Sequence, residues 1–325
     1  MQYVRATDVS HALAIKAQHP ESVFIAGGTC LVDLMTQGAW QPEILIDINH
    51  SGLKQIEVRE DGSLLIGAMA SHSAAAYHEA VRQRYPALAE AILAGASPQL
   101  RNAASIGGNL LQKTRCYYYR EPSFSCNKRD PGSGCPAIAG FNRMHAIFGA
   151  SDSCIAVYPS DLAIALAALD ALIYVRGSEG ERRIPIEEFF LLPDETPQRE
   201  TVLEPNELIT AVEIPATPLA ARSLYFKVRD RTSYAFALVS IAGAAALADG
   251  RVMEIRLAAG GVAHKPWRLR GAEEALTGQS LTDEVLEKAV SASVAGAKAH
   301  QHNGFKIDLL QRALRFVLRQ WQEKA

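Results

Sequence analysis

The sequence lacks the features that mark membrane proteins and nucleic-acid-binding proteins. Its longest apolar stretches, 162–175 and 236–248, are too short to span a bilayer and are interrupted by Asp170 and Ser240. The formal net charge is −2, with 33 Lys and Arg against 35 Asp and Glu, so no basic footprint for nucleic acid exists. Residues 1–5 do not begin the apolar segment that is typical of a signal peptide. We therefore expect no membrane insertion, no nucleic-acid binding and no export signal of its own.

The length of the chain and the pattern of its predicted elements indicate two α+β domains. The chain has 325 residues, of which 48% are hydrophobic and 21% charged, as in ordinary globular proteins. The segment Pro215–Pro218 has two prolines and no periodicity, which is typical of a linker. Long strands are predicted after it, at 225–228, 235–247 and 252–259. We place the domains at 1–215 and 222–325.

Local signals predict several elements around the candidate site. Thr7-Asp8 is expected to cap a helix that ends near Gln18, and Leu31–Thr36 is predicted to be helical. Asp61-Gly62 predicts a two-residue hairpin. Ser71 is expected to cap a helix that runs to about residue 82, and Asp161 is expected to cap another. Two helices are predicted near the end of the chain, at 282–298 and 306–322.

Cysteine is scarce and unevenly distributed. Four of the five cysteines lie between residues 116 and 154, which is too tight a cluster for scattered core thiols. An odd total argues against a disulfide framework. The spacing C-x9-C-x8-C-x18-C contains no C-x2-C pair, which structural zinc sites usually carry. An iron–sulfur cluster, a zinc site and unligated thiols all remain open from the spacing. The members of the cluster are Cys116, Cys126, Cys135 and Cys154.

The segment that carries these cysteines is basic and aromatic. Residues 113–154 contain six Lys or Arg against three Asp or Glu, together with six Tyr or Phe. Positive charge and an apolar shell would offset the charge of four thiolates and exclude water, as iron–sulfur sites require. Gly132 and Gly134 would let the backbone turn sharply before Cys135. A basic aromatic loop could equally form a protein-contact surface.

Two glycine pairs suggest a phosphate-bearing cofactor. Gly27-Gly28 and Gly107-Gly108 are each interpreted as following an apolar strand and preceding a helix. Backbone N–H groups can converge on an anion where no Cβ intervenes. Gly27-Gly28-Thr29 does not match the dinucleotide fingerprint G-x-G-x-x-G, and Gln112 stands where a P-loop needs glycine. His145 and His264 show no spaced partner and are interpreted as structural.

These motifs, taken in order, resemble the FAD-binding subunit of molybdenum hydroxylases, the family of xanthine dehydrogenase and carbon monoxide dehydrogenase flavoproteins. The four motifs are Phe24–Thr29, Ser105–Asn109, Pro159–Asp161 and Lys227–Arg229. The resemblance implies a two-part FAD-binding domain of the PCMH/VAO type, followed by a carbon monoxide dehydrogenase flavoprotein-like C-terminal α+β domain.

The cysteine segment narrows the resemblance. Residues 112–158 are inserted between motifs that lie close together in most members of the family. The insertion is most similar to that in the flavin subunit of periplasmic aromatic-aldehyde oxidoreductases, and less so to that of 4-hydroxybenzoyl-CoA reductase. The resemblance implies a [4Fe-4S] cluster that is ligated by the four clustered cysteines.

The resemblance also implies FAD-binding residues. Residues 25–32 would wrap the FAD diphosphate through backbone amides, and residues 105–109 would hold it from the other side. Asp161 would bind the ribose or adenine end, Lys227 would lie near the flavin ring, and Ile209 would pack on that ring. The implied FAD-binding residues are Ile25, Ala26, Gly27, Gly28, Thr29, Cys30, Leu31, Val32, Ser105, Gly107, Gly108, Asn109, Asp161, Ile209 and Lys227. No residue is assigned to substrate chemistry.

Two residues depart from the family pattern. Cys30 stands where asparagine or serine is expected, so it cannot provide the same hydrogen bond to phosphate. Tyr158 replaces a histidine before Pro159.

By resemblance, the chain is an electron-transfer subunit of a molybdenum-dependent aldehyde oxidoreductase. A molybdenum-cofactor subunit and a [2Fe-2S] subunit would be its partners in a heterotrimer, with an external electron acceptor. The complex would be cytoplasmic, or periplasmic by co-export with a partner that carries a twin-arginine signal. The alternatives are a zinc-stabilised interaction module without flavin and, ranked below it, a free-standing FAD oxidase.

Overall fold

Three β-sheets organise the protein, for which the computed structural model describes residues 1–323. The first sheet is parallel, with the order β1-β3-β2. The second is antiparallel, with the order β4-β5-β8-β6-β7, and the third is antiparallel, with the order β12-β11-β10-β9. The strands are β1 Gln2–Arg5, β2 Val23–Ile25, β3 Ile44–Asp47, β4 Ile56–Val58, β5 Leu64–Gly67, β6 Leu172–Gly177, β7 Gly180–Pro185, β8 Leu208–Ile214, β9 Leu224–Val228, β10 Val239–Ala248, β11 Arg251–Gly260 and β12 Trp267–Arg268.

Short helices fill the N-terminal two thirds of the chain, and longer helices cover the last sheet. In the described range, none is both long enough and apolar enough to cross a membrane. The helices are α1 Val9–Gln18, α2 Leu31–Thr36, α3 His72–Tyr77, α4 Glu79–Arg84, α5 Pro86–Ala94, α6 Pro98–Ala103, α7 Ile106–Leu110, α8 Tyr117–Arg120, α9 Asp161–Ala168, α10 Ile186–Phe189, α11 Arg270–Leu276, α12 Asp283–Ala292 and α13 Phe305–Gln322.

Helix α9 lies at the centre of the main hydrophobic core. All of its residues are buried, because it packs on α5 and also on strands β10 and β11. The core around it joins Leu64 and Ile66 of the second sheet to Ala242 and Ala258 of the third. Residues on both sides of the irregular segment Pro215–Pro218 therefore share one core. The domain boundaries at 215 and 222 stay a prediction.

Several elements confirm the local sequence signals. The Asp8 carboxylate accepts a hydrogen bond from the His11 N–H at 2.9 Å and so caps α1. Helix α2 covers the predicted residues, and β4 and β5 form the predicted antiparallel hairpin. Its loop is longer than the predicted two residues, because the Arg59 N–H donates to the Ser63 carbonyl at 2.9 Å and the bond encloses three residues. Each of these elements depends on contacts between residues that are close in sequence, which is why local patterns find them.

The helix predicted from Ser71 to residue 82 is instead broken into α3 and α4. His78 has an extended backbone, with ψ at 133°. Ala76 and Val81 are both fully buried. In an unbroken helix, five residues at about 100° each would turn Val81 roughly 140° away from the face of Ala76. The break therefore returns Val81 to the core.

Three further element predictions are wrong in detail. Ser160, not Asp161, caps α9, because its hydroxyl accepts a hydrogen bond from the Ala163 N–H at 3.0 Å. The helix predicted at 282–298 ends at Ala292. Beyond that end the chain turns, so that the Lys298 N–H reaches the carbonyl of Ile147 at 2.8 Å. The strand predicted from residue 235 begins at Val239, since residues 234–237 line a cavity instead.

Candidate functional site

The first glycine loop, Gly27–Leu31, presents open backbone amides. It connects β2 to α2, and Gly28 has a φ of +70°, a conformation that side-chain-bearing residues rarely adopt. A Cβ on Gly27 would lie 1.8 Å from the carbonyl oxygen of Ala103, so only glycine fits there. Within residues 1–323, none of the five amide groups of this loop donates a hydrogen bond to the protein. The loop therefore offers a row of donors to an anion.

The second glycine loop, Ser105–Asn109, has a different construction. The prediction that its glycine pair follows a strand is wrong, because the pair lies inside α7 and follows α6. Amides of this loop are already occupied: Ile106 and Gly107 donate to the carbonyls of Ala70 and Ala68, at 3.0 and 2.8 Å. The Gly108 N–H donates to the hydroxyl of Ser105 at 3.2 Å. This loop is tied to the segment that directly follows β5.

The two loops meet at a cavity of about 320 Å³, here called the loop cavity. Its volume lies in the ordinary range for ligand pockets. Ile209 of β8 and Lys113 line the wall beside the glycines. Val32 is half-exposed and does not line the cavity. The predicted residues that line it are Ile25, Ala26, Gly27, Gly28, Thr29, Cys30, Leu31, Ser105, Gly107, Gly108 and Ile209.

A larger cavity of about 760 Å³, here called the large cavity, adjoins the loop cavity. Thr29 lines both. The remaining predicted residues, Asn109, Asp161 and Lys227, line the large cavity. The predicted set is thus divided between two neighbouring cavities that share a wall, an arrangement that suits an elongated ligand.

Asp161 and Lys227 form a buried ion pair in the large cavity. The Lys227 ammonium lies 2.7 Å from the Asp161 carboxylate, and both side chains are at most 10% exposed. The Tyr225 hydroxyl donates to the same carboxylate at 2.5 Å, and burial raises the pKa of this tyrosine. The prediction had assigned Asp161 and Lys227 to different parts of a cofactor. The structure brings the two residues together.

The side chains of Tyr158 and Ser160 hydrogen-bond to the second glycine loop and to the residue after it. The Tyr158 hydroxyl donates to the carbonyl of Leu110 at 3.0 Å. The Ser160 hydroxyl contacts the side-chain oxygen of Asn109. Burial raises the pKa of Tyr158, so its hydroxyl stays protonated and remains a donor. The unusual tyrosine at this position therefore supports the loop.

All four clustered cysteines line one small cavity, here called the cysteine cavity. Cys126 and Cys154 are buried, and Cys116 and Cys135 are half-buried. Its volume is about 10 Å³, and aromatic and aliphatic side chains provide most of the remaining wall. Residues 113–154, which have no sheet of their own, thus bring four sulfur atoms together.

The predicted glycine turn presents Cys135 beside Cys126. Gly132 and Gly134 have φ angles of +88° and +104°. The Asn127 N–H donates to the carbonyl of Gly134 at 2.9 Å, and the Gly134 N–H donates to the Asn127 side chain at 2.7 Å. These two bonds close the loop between the cysteines.

The thiols of the cysteine cavity differ in acidity. A hydrogen bond from Cys154 lowers the pKa of Cys135 to about 6. Burial raises the pKa of Cys116 to about 11. Among residues 1–323, no group of three or more His, Cys, Asp or Glu side chains has the geometry of a metal site.

Two histidines contact the cysteines. Their positions in the sequence do not predict these contacts. The His145 Nε2 lies 3.2 Å from the Cys116 Sγ, and the His264 Nε2 lies 3.3 Å from the Cys154 Sγ. Burial lowers the pKa of His145 to about 4 and that of His264 to about 3. Both rings are therefore neutral near neutral pH.

Glu200 connects the loop cavity to the cysteine cavity. Its carboxylate binds Lys113, which lines the loop cavity, and lies 3.0 Å from the ammonium of Lys128, which lines the cysteine cavity. Burial opposes ionisation, but the two lysines together lower the pKa of Glu200 to about 2. Glu200 is 87 residues from Lys113 in sequence, so no local pattern could have identified it.

Comparison with known proteins agrees with this geometry. A model of the FAD binding domain in molybdopterin dehydrogenase matches residues 1–217, and one of the CO dehydrogenase flavoprotein C-terminal domain matches residues 224–320. The chain is 45% identical to the FAD-binding subunit of an aldehyde oxidoreductase from Escherichia coli, over 99% of this chain and 98% of that protein. It is 27% identical to the medium chain of carbon monoxide dehydrogenase from Hydrogenophaga pseudoflava, over 90% and 86%.

A solved structure extends the likeness to the whole fold. A chain of the carbon monoxide dehydrogenase of Hydrogenophaga pseudoflava, in a form that lacks the Mo-pyranopterin moiety, aligns with a TM-score of 0.76 at 26% identity. The alignment covers 97% of this chain and 95% of that one. The fold class inferred from the motifs is confirmed, and a module without flavin is disfavoured. The chain belongs to the FAD-binding subunits of the molybdenum hydroxylases, a family of oxidoreductases.

Proposed function

We propose that this chain is the flavin- and iron–sulfur-containing electron-transfer subunit of a molybdenum-dependent aldehyde oxidoreductase. It would receive electrons from a molybdenum-cofactor subunit through a [2Fe-2S] subunit and deliver them to an external acceptor. The observation that carries the proposal is that Cys116 lines both the cysteine cavity and the large cavity. One wall would therefore separate the two redox groups.

The loop cavity and the large cavity fit FAD. The open amides of the first glycine loop would bind the diphosphate, and Thr29 lies where the two cavities meet. Lys227 and Asp161 would lie together against the flavin ring, where each offsets the charge of the other and the pair offers a hydrogen-bonding contact. FAD exchanges two electrons and can release them singly, which suits a junction with one-electron carriers.

The donor set of the cysteine cavity fits a [4Fe-4S] cluster, a one-electron carrier. It offers four thiols in an apolar surround, with no carboxylate among the lining residues, and soft thiolate ligands favour iron–sulfur clusters or zinc. Arg129, which lies between Cys126 and Cys135 in sequence, donates to the carbonyl of Tyr118 at 3.1 Å and so ties this loop to α8.

Metal and sulfide analysis of the purified full chain tests the cluster. We expect about four irons per chain, with equivalent acid-labile sulfide and bound flavin. About one zinc per chain and no iron would contradict the cluster and indicate a zinc-stabilised segment instead.

Cysteine substitutions separate the two redox sites. Cys126→Ser or Cys135→Ser should abolish iron binding and leave flavin bound, because the glycine loops lie outside the cysteine segment. Cys30→Ser is the matched control: Cys30 lines the loop cavity, not the cysteine cavity, and its loss should leave the iron content unchanged. Loss of flavin together with iron would show that the cysteine segment organises the FAD site.

Partner subunits would complete the enzyme and determine where it resides. The named relatives include a FAD-binding subunit and a medium chain of larger enzymes, which supports a heterotrimer with molybdenum-cofactor and [2Fe-2S] subunits. Such a complex would be cytoplasmic, or periplasmic if a partner carries an export signal. Co-purification of the tagged chain, followed by molybdenum analysis and cell fractionation, tests both statements.

A further inference from the structure

Two histidines lie against the cysteine cavity, on different cysteines. His145 contacts Cys116, the first of the four cysteines in sequence, and His264 contacts Cys154, the last of them. His264 follows β11 and therefore comes from the C-terminal third of the chain. The two residues are 2% and 9% exposed, so water does not compete for their ring nitrogens.

The contacts determine which nitrogen of each ring carries the proton when the cysteines hold iron. In both rings the Nδ1 atom is buried and has no hydrogen-bond partner in the described structure. A sulfur that ligates iron has no proton to donate, so it can only accept. The Nε2–H tautomer is then favoured in both rings, because Nε2 can donate to sulfur, whereas a proton on Nδ1 would have no acceptor.

The backbone of His145 is held by the C-terminal part of the chain. The ammonium of Lys306, which is fully buried, donates to the carbonyls of His145 and Gly261 at 3.1 and 2.7 Å. The side-chain amide of Asn303 donates to the carbonyl of His145 at 3.2 Å. Lys306 and Asn303 thus hold the backbone from which the His145 ring projects.

His145 also faces the proposed flavin site. Both His145 and Cys116 line the cysteine cavity and the large cavity. The contact between His145 and Cys116 therefore lies where the two proposed redox sites adjoin.

We infer that His145 and His264 are hydrogen-bond donors to the cluster-ligating sulfurs of Cys116 and Cys154, and that they raise the reduction potential of the cluster. The inference rests on the proposed function. A hydrogen bond to a ligating sulfur disperses its negative charge, and it strengthens when an added electron increases that charge. The reduced cluster is therefore stabilised more than the oxidised one. The proton stays on Nε2 throughout.

The test is a potentiometric titration, monitored by electron paramagnetic resonance, of the full chain purified anaerobically with its accompanying subunits. His145→Phe and His264→Phe keep a ring of similar size but remove the donor. We expect each to lower the ratio of reduced to oxidised cluster about tenfold at a fixed solution potential, or about 59 mV for a one-electron couple. Iron and flavin contents should equal those of the wild type.

Three further variants distinguish the loss of a hydrogen bond from a merely structural effect. His145→Gln and His264→Gln retain an N–H donor and should return the potential most of the way to the wild-type value. His302→Gln removes an exposed histidine that contacts Phe141 and is expected to leave the potential unchanged.

The outcomes separate this inference from the proposed function. Full iron content with an unchanged potential in both Phe variants would overturn the inference and leave the proposed function intact. Loss of iron in the Phe variants with recovery in neither Gln variant would also overturn it, since the histidines would then hold the site together or ligate metal themselves. Absence of iron from the wild-type chain would instead remove the proposed function.

Discussion

The two glycine loops look alike in sequence and serve different purposes in the structure. The first loop leaves its amides open, and its Gly27 is required because the Ala103 carbonyl approaches closely. The second loop uses its amides to bind the carbonyls of Ala68 and Ala70, and a Cβ on its Gly107 would lie 2.9 Å from the Ala68 side chain. The first loop thus has free donors that could bind an anion, whereas the second uses its donors to hold its own position. A glycine pair therefore does not by itself indicate a phosphate site.

The strongest test of this comparison is Gly27→Ala. The added Cβ would lie 1.8 Å from the Ala103 carbonyl oxygen, so the first loop must move away from the end of α6. We expect a loss of about 3 kcal/mol or more in the free energy of unfolding and a purified protein without flavin. The free energy of unfolding comes from denaturant titration, and flavin content comes from visible absorbance.

Gly271→Ala is the matched control for that variant. The new Cβ would lie 3.5 Å from the Ala292 carbonyl oxygen, an ordinary contact in a helix, so stability and flavin content should be retained. Normal flavin content in Gly27→Ala would show that the first loop does not depend on the close approach.

Glu200→Gln tests the link between the loops and the cysteine cavity. It leaves the partly buried Lys113 and the buried Lys128 without this counter-charge, and we expect a loss of about 3 kcal/mol in the free energy of unfolding near neutral pH. The exposed pair Arg199–Glu204 provides the control: Glu204→Gln should cost less than about 1 kcal/mol.

The interaction of Glu200 with Lys113 and Lys128 predicts that the free energy of unfolding depends on pH. The pKa of Glu200 lies below its ordinary value, at about 2, so its stabilisation is complete above the ordinary carboxyl pKa and is lost as the pH falls through the folded-state value. The difference in stability between wild type and Glu200→Gln should therefore shrink between about pH 4 and pH 2. A difference that stays constant as the pH falls would exclude an ionised Glu200 as its source.

Gly107→Ala tests whether the second loop acts through packing. Its Cβ would meet the Ala68 side chain at 2.9 Å, and we expect a loss of about 2 kcal/mol in the free energy of unfolding with flavin still bound at low temperature. Gly108→Ala meets only the Ser105 hydroxyl, which can rotate, and should cost less. Complete loss of flavin at unchanged stability would instead make this loop a direct ligand-binding element.

Tyr158→Phe is expected to have the smallest effect. It removes one buried hydrogen bond to the Leu110 carbonyl, which should cost about 1 kcal/mol in the free energy of unfolding. Tyr117→Phe, at an exposed tyrosine, is the control and should be neutral. Both values can be measured by thermal denaturation with flavin fluorescence as a second signal.

Local patterns predicted the elements and loops of this protein better than they predicted its side-chain partners. The cap of α1, the hairpin at Asp61-Gly62 and the turn before Cys135 each depend on a few neighbouring residues. The Asp161–Lys227 pair, by contrast, joins residues 66 positions apart, and the His264–Cys154 contact joins residues 110 apart. No single-sequence spacing encodes such contacts, because they exist only once the sheets have assembled.

The complete burial of helix α9 has a consequence for how the protein unfolds. Two family models divide the sequence, but α9 is buried against strands and helices from both parts. Melting either part would expose this helix to water and remove the support of the other part. Heating should accordingly give one cooperative calorimetric transition, as in a single-domain protein, rather than two separated ones.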